Sequence, residues 1–490
     1  MTTISPPVPV VDLLINGTSS PATSGQYFET VDAATGETIA QVAAGTVGDA
    51  RHAVDAAAAA FPAWAALPPR QRRAVLAKAA ELLQERTAEI VTTMGREMGA
   101  TAPWCDFNVH VAQGMLTESA AQAYSAVGDT SPSDVPGLTS MSIRQPAGVV
   151  IGIAPWNAPL ILGVRAIAMP LVLGNTVVLK GSELTPLSQR IIIECLRDAG
   201  APDGVVNFLT NAPEDAADVV EALIAHPQTA RVNFTGSTRV GRIIAETAGR
   251  HLKRTVLELG GKAPQIVLAD ADIEEAAAAA TFGAFMNQGQ ICMSTERIIV
   301  DATAIDEFAA RLANRASTLV VGPPSDSRSQ IGPVVHAGAR DHVMELIADA
   351  KEKGADVLTG GSTDGLYIRP TVLRGVTPDM RIYAEESFGP VVSLIEVSGP
   401  EEAIARANDT EYGLTASVFS TNAAQALEVA KRIHSGMCHI NSATVQDEPQ
   451  APFGGTGASG WGKFGTRAAV DEFTELRWVT IQAGSRHYPI

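Results

Sequence analysis

Cysteine is scarce. Four occur in 490 residues, at Cys105, Cys195, Cys292 and Cys438, with no C-x-x-C pair among them, so neither a disulfide framework nor a thiolate zinc site has support. The nine histidines are scattered and none stands in H-E-x-x-H, so the sequence predicts no metal site. Basic residues are in deficit, 36 against 53 acidic for a net charge of −17, and the acids are spread along the chain. That balance excludes nucleic acid as an expected partner. No basic residue precedes Arg51, so the opening MTTISPPVPVVDLLING has neither the charged start of a signal peptide nor the arginines of a transit peptide, and a cytoplasmic location is expected. Long apolar runs are missing as well. The uncharged stretch between Arg144 and Arg165 is broken by Pro146, Pro155 and Pro159 and carries Asn157, which predicts a buried strand, turn and helix rather than a membrane span.

What is present is an ordinary folding mixture, 46% hydrophobic and 18% charged, over a length that exceeds one hydrophobic core. Two large lobes and a smaller element are expected. From residue 50 to 99 the apolar residues recur at helical spacing. Gly, Ser, Pro and Asp then mark an excursion over residues 127–146. Strands GVVIGIA, NTVVLK, GVVNFL and RVNFT alternate with helices, each a short continuous run, as in a parallel sheet covered on both faces. This is a doubly wound, nucleotide-binding pattern. A second α/β series begins after Glu258 with PQIVLAD, runs through a helix over EEAAAAATFGAFMNQGQ, and continues to about residue 445. The strand-like tail FTELRWVTIQ is a candidate to pair with the excursion.

Several positions carry chemistry. G-T-G-A-S-G at Gly455 to Gly460 matches G-x-G-x-x-G but lacks the flanking strand and helix, so it reads as an irregular loop. GSTRVG at Gly236 to Gly241 does join a strand to a helix, where Gly236 and Ser237 can offer backbone N–H groups and a hydroxyl to a pyrophosphate; an ordinary turn is the alternative. Lys180 and Glu183 follow a strand at the edge where such sheets bind ligands, and can hold ribose hydroxyls or stand as solvated charges. Cys292, in QGQICMS, is a candidate nucleophile. Cys195 lies inside an apolar helix and, with Cys105 and Cys438, reads as inert. Glu258 in LELGGK ends a strand, where desolvation would suit it to act as a base, or it stands as a structural or solvated residue. Asn157 in APWNAP can donate its amide to an oxyanion or form a turn.

PWNAP, LKGSE, FTGSTRVG, LELGGK, QGQICMS, EESFGP and PFGG stand in the order and spacing of the aldehyde dehydrogenase superfamily, and the chain resembles it from about residue 12 to the C-terminus. The stretches around PWNAP and GMCHINSATVQDEPQAPFGG look most like salicylaldehyde, vanillin and benzaldehyde dehydrogenases. The resemblance implies an aldehyde dehydrogenase-like α/β fold. Residues 1–126 and 147–257 would form a Rossmann-type NAD-binding domain and 258–445 a catalytic domain. Residues 127–146 and 470–490 would form a β oligomerisation element, with 446–469 a returning loop and helix. It implies Cys292 as nucleophile, Asn157 with the Cys292 backbone N–H as oxyanion donors, hydride transfer to the nicotinamide, and Glu258 as the base that activates water against the thioester. Trp156, Lys180, Ser182, Glu183, Gly236, Ser237, Glu386 and Phe388 would hold the cofactor, expected to be NAD rather than NADP because Glu183 repels a 2′-phosphate. Ala158, Leu162, Arg165, Met286, Ile291, Met293 and Thr444 would line the tunnel for a small aromatic aldehyde, with Arg165 either facing a ring hydroxyl or held in a buried ion pair. A homodimer or homotetramer is implied as well.

Two positions depart from the family pattern. Gly181 stands where Pro or Ala is usual and is expected to loosen the adenosine loop, and Gly457 replaces a frequent Lys. The competing readings are an aliphatic or semialdehyde dehydrogenase, a CoA-acylating dehydrogenase, which Glu258 disfavours, and a nitrilase-like hydrolase, which would need no nucleotide fold.

Overall fold

A computed structural model describes residues 8–490. Five strands, Val149–Ile153, Thr176–Lys180, Val206–Leu209, Thr229–Thr235 and Arg254–Glu258, form the parallel centre of an eight-stranded sheet. Their continuous apolar runs suit burial on both faces. Val149, Ile151 and Ile153 pack into one core with helices Val47–Ala66 and Thr238–Arg250, whereas Val150 packs into another with helices Pro159–Val172 and Pro186–Asp198. Taken in chain order, the strands lie 5-4-1-2-3 across the sheet, so the order reverses between Val149–Ile153 and Thr229–Thr235. Crevices at such a reversal, beyond the carboxyl ends of the strands, are where doubly wound sheets bind ligands.

The second sheet has seven strands, in the order Asp356–Thr359, Thr371–Arg374, Val391–Val397, Thr295–Asp301, Ala263–Val267, Thr415–Phe419 and Met437–Ile440, parallel except for the first. Leu138–Pro146 pairs antiparallel with Thr474–Gln482, from Pro146 opposite Thr474 to Leu138 opposite Gln482. The tail and the excursion therefore do meet, 330 residues apart at the Arg144–Thr474 side-chain hydrogen bond. Among the described residues, no helix is long and apolar enough to cross a membrane.

The structure departs from the sequence reading in places. The helix expected to run through Gln290 stops at Phe285, because Asn287, Gln288 and Gly289 take positive φ of 49°, 59° and 70°. Helix Ala102–Ala121 went unread; buried Trp104, Val109, Val111 and Leu116 do not share one stripe, since neighbouring helices cover it on several sides. The glycine run near residue 457 is irregular as expected, with Gly457 itself at φ +60°, but it leads into Gly460–Trp461, which adds an antiparallel edge strand beside Leu257–Glu258.

Candidate active site

At the strand-order reversal lies a cavity of about 560 Å³, lined by Trp156, Lys180, Ser182, Glu183, Gly236 and Val240 among others. Lys180 forms an ion pair with Glu183, whose carboxylate also accepts from Asn211 Nδ2 at 3.0 Å. Neither charge is a solvated loop residue. The Ser182 amide donates to Gln189 Oε1 at 2.7 Å, and its hydroxyl accepts from the Leu184 amide at 3.2 Å, so this loop is tied down. Nor is it loosened at Gly181: a Cβ there would meet the Phe208 ring at 2.8 Å, and Phe208 occupies the space that a larger residue would take. Ser237 caps helix Thr238–Arg250. The expectation for Gly236 is corrected, because its N–H donates to the Glu258 carbonyl at 3.0 Å and is not free for a pyrophosphate. A Cβ on Gly236 would meet the Phe234 ring at 2.4 Å, so glycine is required there by the Phe234 packing.

Cys292 sits in a turn between the left-handed residues and strand Thr295–Asp301. Buried amides build that turn. Gln288 Nε2 donates to the Pro333 carbonyl at 3.0 Å, and Gln290 Oε1 accepts from the Val335 amide at 3.0 Å. A Cβ on Gly289 would lie 2.1 Å from the Gly389 carbonyl oxygen, so the glycine in QGQ permits contact with the EESFGP loop. Both glutamines are completely buried and act as clamps, a role the sequence reading did not assign them and which amide side chains flanking a glycine could have signalled.

Asn157 follows strand Val149–Ile153 and is 5% exposed. Its carbonyl accepts from Trp104 Nε1 at 2.9 Å and from Asn287 Nδ2 at 3.1 Å, which fixes the backbone. Its own Nδ2 donates to the Gln290 carbonyl at 3.0 Å. An amide NH₂ carries two hydrogens, so this bond orients the group and leaves one donor for substrate. Asn157→Ala should lower kcat by about a hundredfold, the effect of losing one oxyanion donor worth about 3 kcal/mol; steady-state rates with KM for the aldehyde determined separately check this.

Glu258 ends strand Arg254–Glu258, opposite Thr235, and is 1% exposed with neither carboxylate oxygen hydrogen-bonded. Burial pushes its pKa above the ordinary carboxylate range, while the charge of Arg165 and the nearby Cys292 thiol and Thr235 hydroxyl oppose the shift. Burial and the Glu258 charge likewise hold the Cys292 thiol well above its usual range. The two groups thus face each other in a dry site. The glycines after Glu258 have steric reasons: a Cβ on Gly260 would meet Glu386 Oε2 at 2.6 Å, and one on Gly261 the Cys292 carbonyl oxygen at 2.4 Å.

Glu386 accepts from the Gly261 amide at 2.8 Å, and burial pushes its carboxyl up to about 8. Its loop is anchored by Glu296, which accepts from the Ser387 amide at 2.9 Å and the Phe388 amide at 3.2 Å, and pairs with buried Lys262 at 2.6 Å. Phe388 has a φ of 47° and meets the Trp156 ring edge-on, centroids 5.8 Å apart. The Lys262–Glu296 pair escaped the sequence reading, although a lysine inside an apolar LELGGKAPQIV stretch requires a buried partner.

Ala158, Leu162, Met286, Ile291 and Met293 share one apolar cluster with Trp156 and Cys292. Thr444 differs from expectation: it is fully buried, bonded to the Met293 carbonyl at 2.7 Å and to Thr295 Oγ1 at 2.8 Å, so its hydroxyl is engaged within the protein. Of the two alternatives for Arg165, the structure takes the buried pair, with Asp447 as its partner.

A thiol, a desolvated carboxylate and an oriented amide thus converge beside a nucleotide-sized cleft. The family model for the aldehyde dehydrogenase family matches residues 20–479. The chain is 55% identical to a vanillin dehydrogenase of Pseudomonas fluorescens, over 98% of this chain and 99% of the relative. It is 40% identical to a benzaldehyde dehydrogenase (NAD(+)) of Pseudomonas putida, over 95% of each chain. The crystal structure of a salicylaldehyde dehydrogenase from Pseudomonas putida G7, complexed with salicylaldehyde, superposes with a TM-score of 0.97 at 45% identity, covering 98% of this chain and 100% of that one. Sequence, fold and the arrangement around Cys292 agree, and the chain belongs to the aldehyde dehydrogenase family.

Proposed function

We propose that this protein oxidises a small aromatic aldehyde to its carboxylic acid with NAD, through a thioester on Cys292. One observation carries the reading: the unpartnered carboxylate of Glu258 is buried next to the Cys292 thiol, an arrangement that is costly unless it serves as a base. The relatives named vanillin, benzaldehyde and salicylaldehyde dehydrogenase support the aromatic substrate. So does the apolar wall of Ala158, Leu162, Met286, Ile291 and Met293.

The residues at the sheet reversal fit a dinucleotide. Lys180 and Glu183 stand where ribose hydroxyls bind in doubly wound folds, apolar Val220, Ile224 and Val240 offer a slot for a flat base, and Ser237 opens a helix whose N-terminus favours phosphate. Ser182 shapes that loop, and Trp156 on the cleft wall meets Phe388 edge-on, which brings the Glu386–Phe388 loop to the nicotinamide end of the proposed dinucleotide. When bound, the nicotinamide supplies the hydride acceptor. Cys292 Sγ adds to the aldehyde carbon, and the free Asn157 amide hydrogen and the Cys292 N–H receive the developing oxyanion. After oxidation, Glu258 takes a proton from water, which attacks the thioester and releases the acid and the thiol.

The reading carries three further proposals. The nucleotide-binding and catalytic parts divide at Glu258, with the excursion and tail as an oligomerisation element. The protein is a homodimer or homotetramer, supported by Leu476, Trp478 and Ile481 exposed on the tail strand. It works in the cytoplasm, supported by four free cysteines among the described residues, one of which must stay reduced.

Rates of reduced-cofactor formation, followed by absorbance over a panel of benzaldehydes and short aliphatic aldehydes, test the proposal. Benzaldehydes should be preferred, and NAD should exceed NADP in kcat/KM by about tenfold or more because Glu183 repels a 2′-phosphate. Faster oxidation of short aliphatic aldehydes would refute the substrate assignment. A requirement for coenzyme A would reassign the acyl acceptor.

A further inference from the structure

Asp447 lies in the segment QDEPQAP, outside the motifs of the proposed reaction. Its side chain is 3% exposed and that of Arg165 is 4% exposed, and the two form an ion pair through Asp447 Oδ2. The Arg165 guanidinium also lies 3.8 Å above the centre of the Phe453 ring, so its position is set from two sides. The other oxygen, Asp447 Oδ1, is buried and accepts no hydrogen bond from any group among the described residues. Native folds seldom leave a buried acceptor unpaired unless something else supplies the donor.

Both residues line a narrow cavity whose walls include Met115, Val164, Met169 and Phe464. It is distinct from the dinucleotide cleft, with which it shares no lining residue. It adjoins the catalytic centre: Arg165 stands one turn beyond Leu162 on helix Pro159–Val172, and Asp447 three residues beyond Thr444, which bonds to the carbonyl of Met293, the residue after Cys292. The free space between its apolar walls and ring faces is about 30 Å³, room for a substituent on a ring rather than for the ring itself. Arg165 is occupied by Asp447, so the free polar atom presented is an acceptor, which excludes a substrate carboxylate and favours a donor.

We infer that Asp447 is a specificity-determining residue whose Oδ1 accepts a hydrogen bond from a hydroxyl on the ring of the aldehyde. The inference rests on the aromatic-aldehyde reading above and adds the ring substituent that the site selects. Sites built to bond a substrate hydroxyl reject analogues lacking it, because the buried partner is then left unpaired. Hydroxybenzaldehydes are thus preferred over benzaldehyde and over their methyl ethers, whose oxygen can only accept.

The test compares kcat/KM for the three monohydroxybenzaldehydes, their methyl ethers and benzaldehyde. In the wild type, at least one hydroxybenzaldehyde should exceed both its ether and benzaldehyde by about tenfold or more. Asp447→Asn retains an oxygen for Arg165 but offers an amide donor in place of the free oxygen, so the hydroxyl-to-ether ratio should fall by about tenfold. Both rates come from one preparation, so partly misfolded protein cancels in the ratio. The double variant Arg165→Met with Asp447→Leu removes both charges together, a change that buried pairs often tolerate, and should also lose the preference. An unchanged ratio in Asp447→Asn would mean that Asp447 only holds Arg165, and would overturn the inference. Equal wild-type rates on hydroxylated and methylated rings would overturn it as well, while leaving the aromatic reading intact. Wild-type protein that oxidises aliphatic aldehydes but no benzaldehyde would remove both.

Discussion

Cys292→Ala should turn aldehyde over about ten-thousandfold more slowly, or not measurably, while keeping the folded state of the parent. No other thiol can replace it. Burial pushes Cys105 up to about 12 and Cys195 and Cys438 up to about 11, so each stays a protonated, inert side chain. Cys292 is also raised, by burial first and by the Glu258 charge second, yet it is partly accessible, and even a small thiolate fraction is strongly nucleophilic. Steady-state rates, together with mass spectrometry of quenched wild-type turnover, check the prediction. An acyl adduct on any residue other than Cys292, or a variant that keeps a tenth of the parental rate, would refute the assignment.

Glu258→Gln should separate the two halves of the reaction. Adduct formation and oxidation should continue for one round, giving a rapid burst of reduced cofactor equal to the enzyme. Hydrolysis should then slow by about a hundredfold to ten-thousandfold, the usual contribution of a positioned base. The thioester should accumulate and be visible as added mass on Cys292. The pH dependence follows from the raised pKa of Glu258. Its ionised form is the active base, so below the raised pKa it is protonated and idle, and wild-type hydrolysis should climb as pH rises through a range above that of an exposed glutamate. The glutamine variant should lack this limb. A glutamine variant that retains the limb would place the base elsewhere.

Much of this site could be placed by reading letters, for reasons tied to particular residues. Strands such as Val149–Ile153 and Thr176–Lys180 are short β-branched runs buried on both faces, which a linear scan detects without knowing their neighbours. Cys292, Glu258 and Asn157 each stand in a short motif at a strand or helix end, where side chains are free to do chemistry. The tail strand was recognisable for the same local reason, whereas its partner in the excursion lies 330 residues away at Arg144–Thr474.

The sequence by itself determined the family, the parallel sheets and the three side chains proposed to react, because these depend on local runs and short motifs. Only the tertiary structure decided how their polar atoms are spent. It bound the Gly236 N–H to Glu258, engaged the Thr444 hydroxyl with Met293, and brought Arg165 to Asp447 across 282 residues. Such pairings belong to no periodicity along the chain. They arise where buried polar groups must find partners in a dry interior, and which partner is in reach depends on the packing of the whole fold.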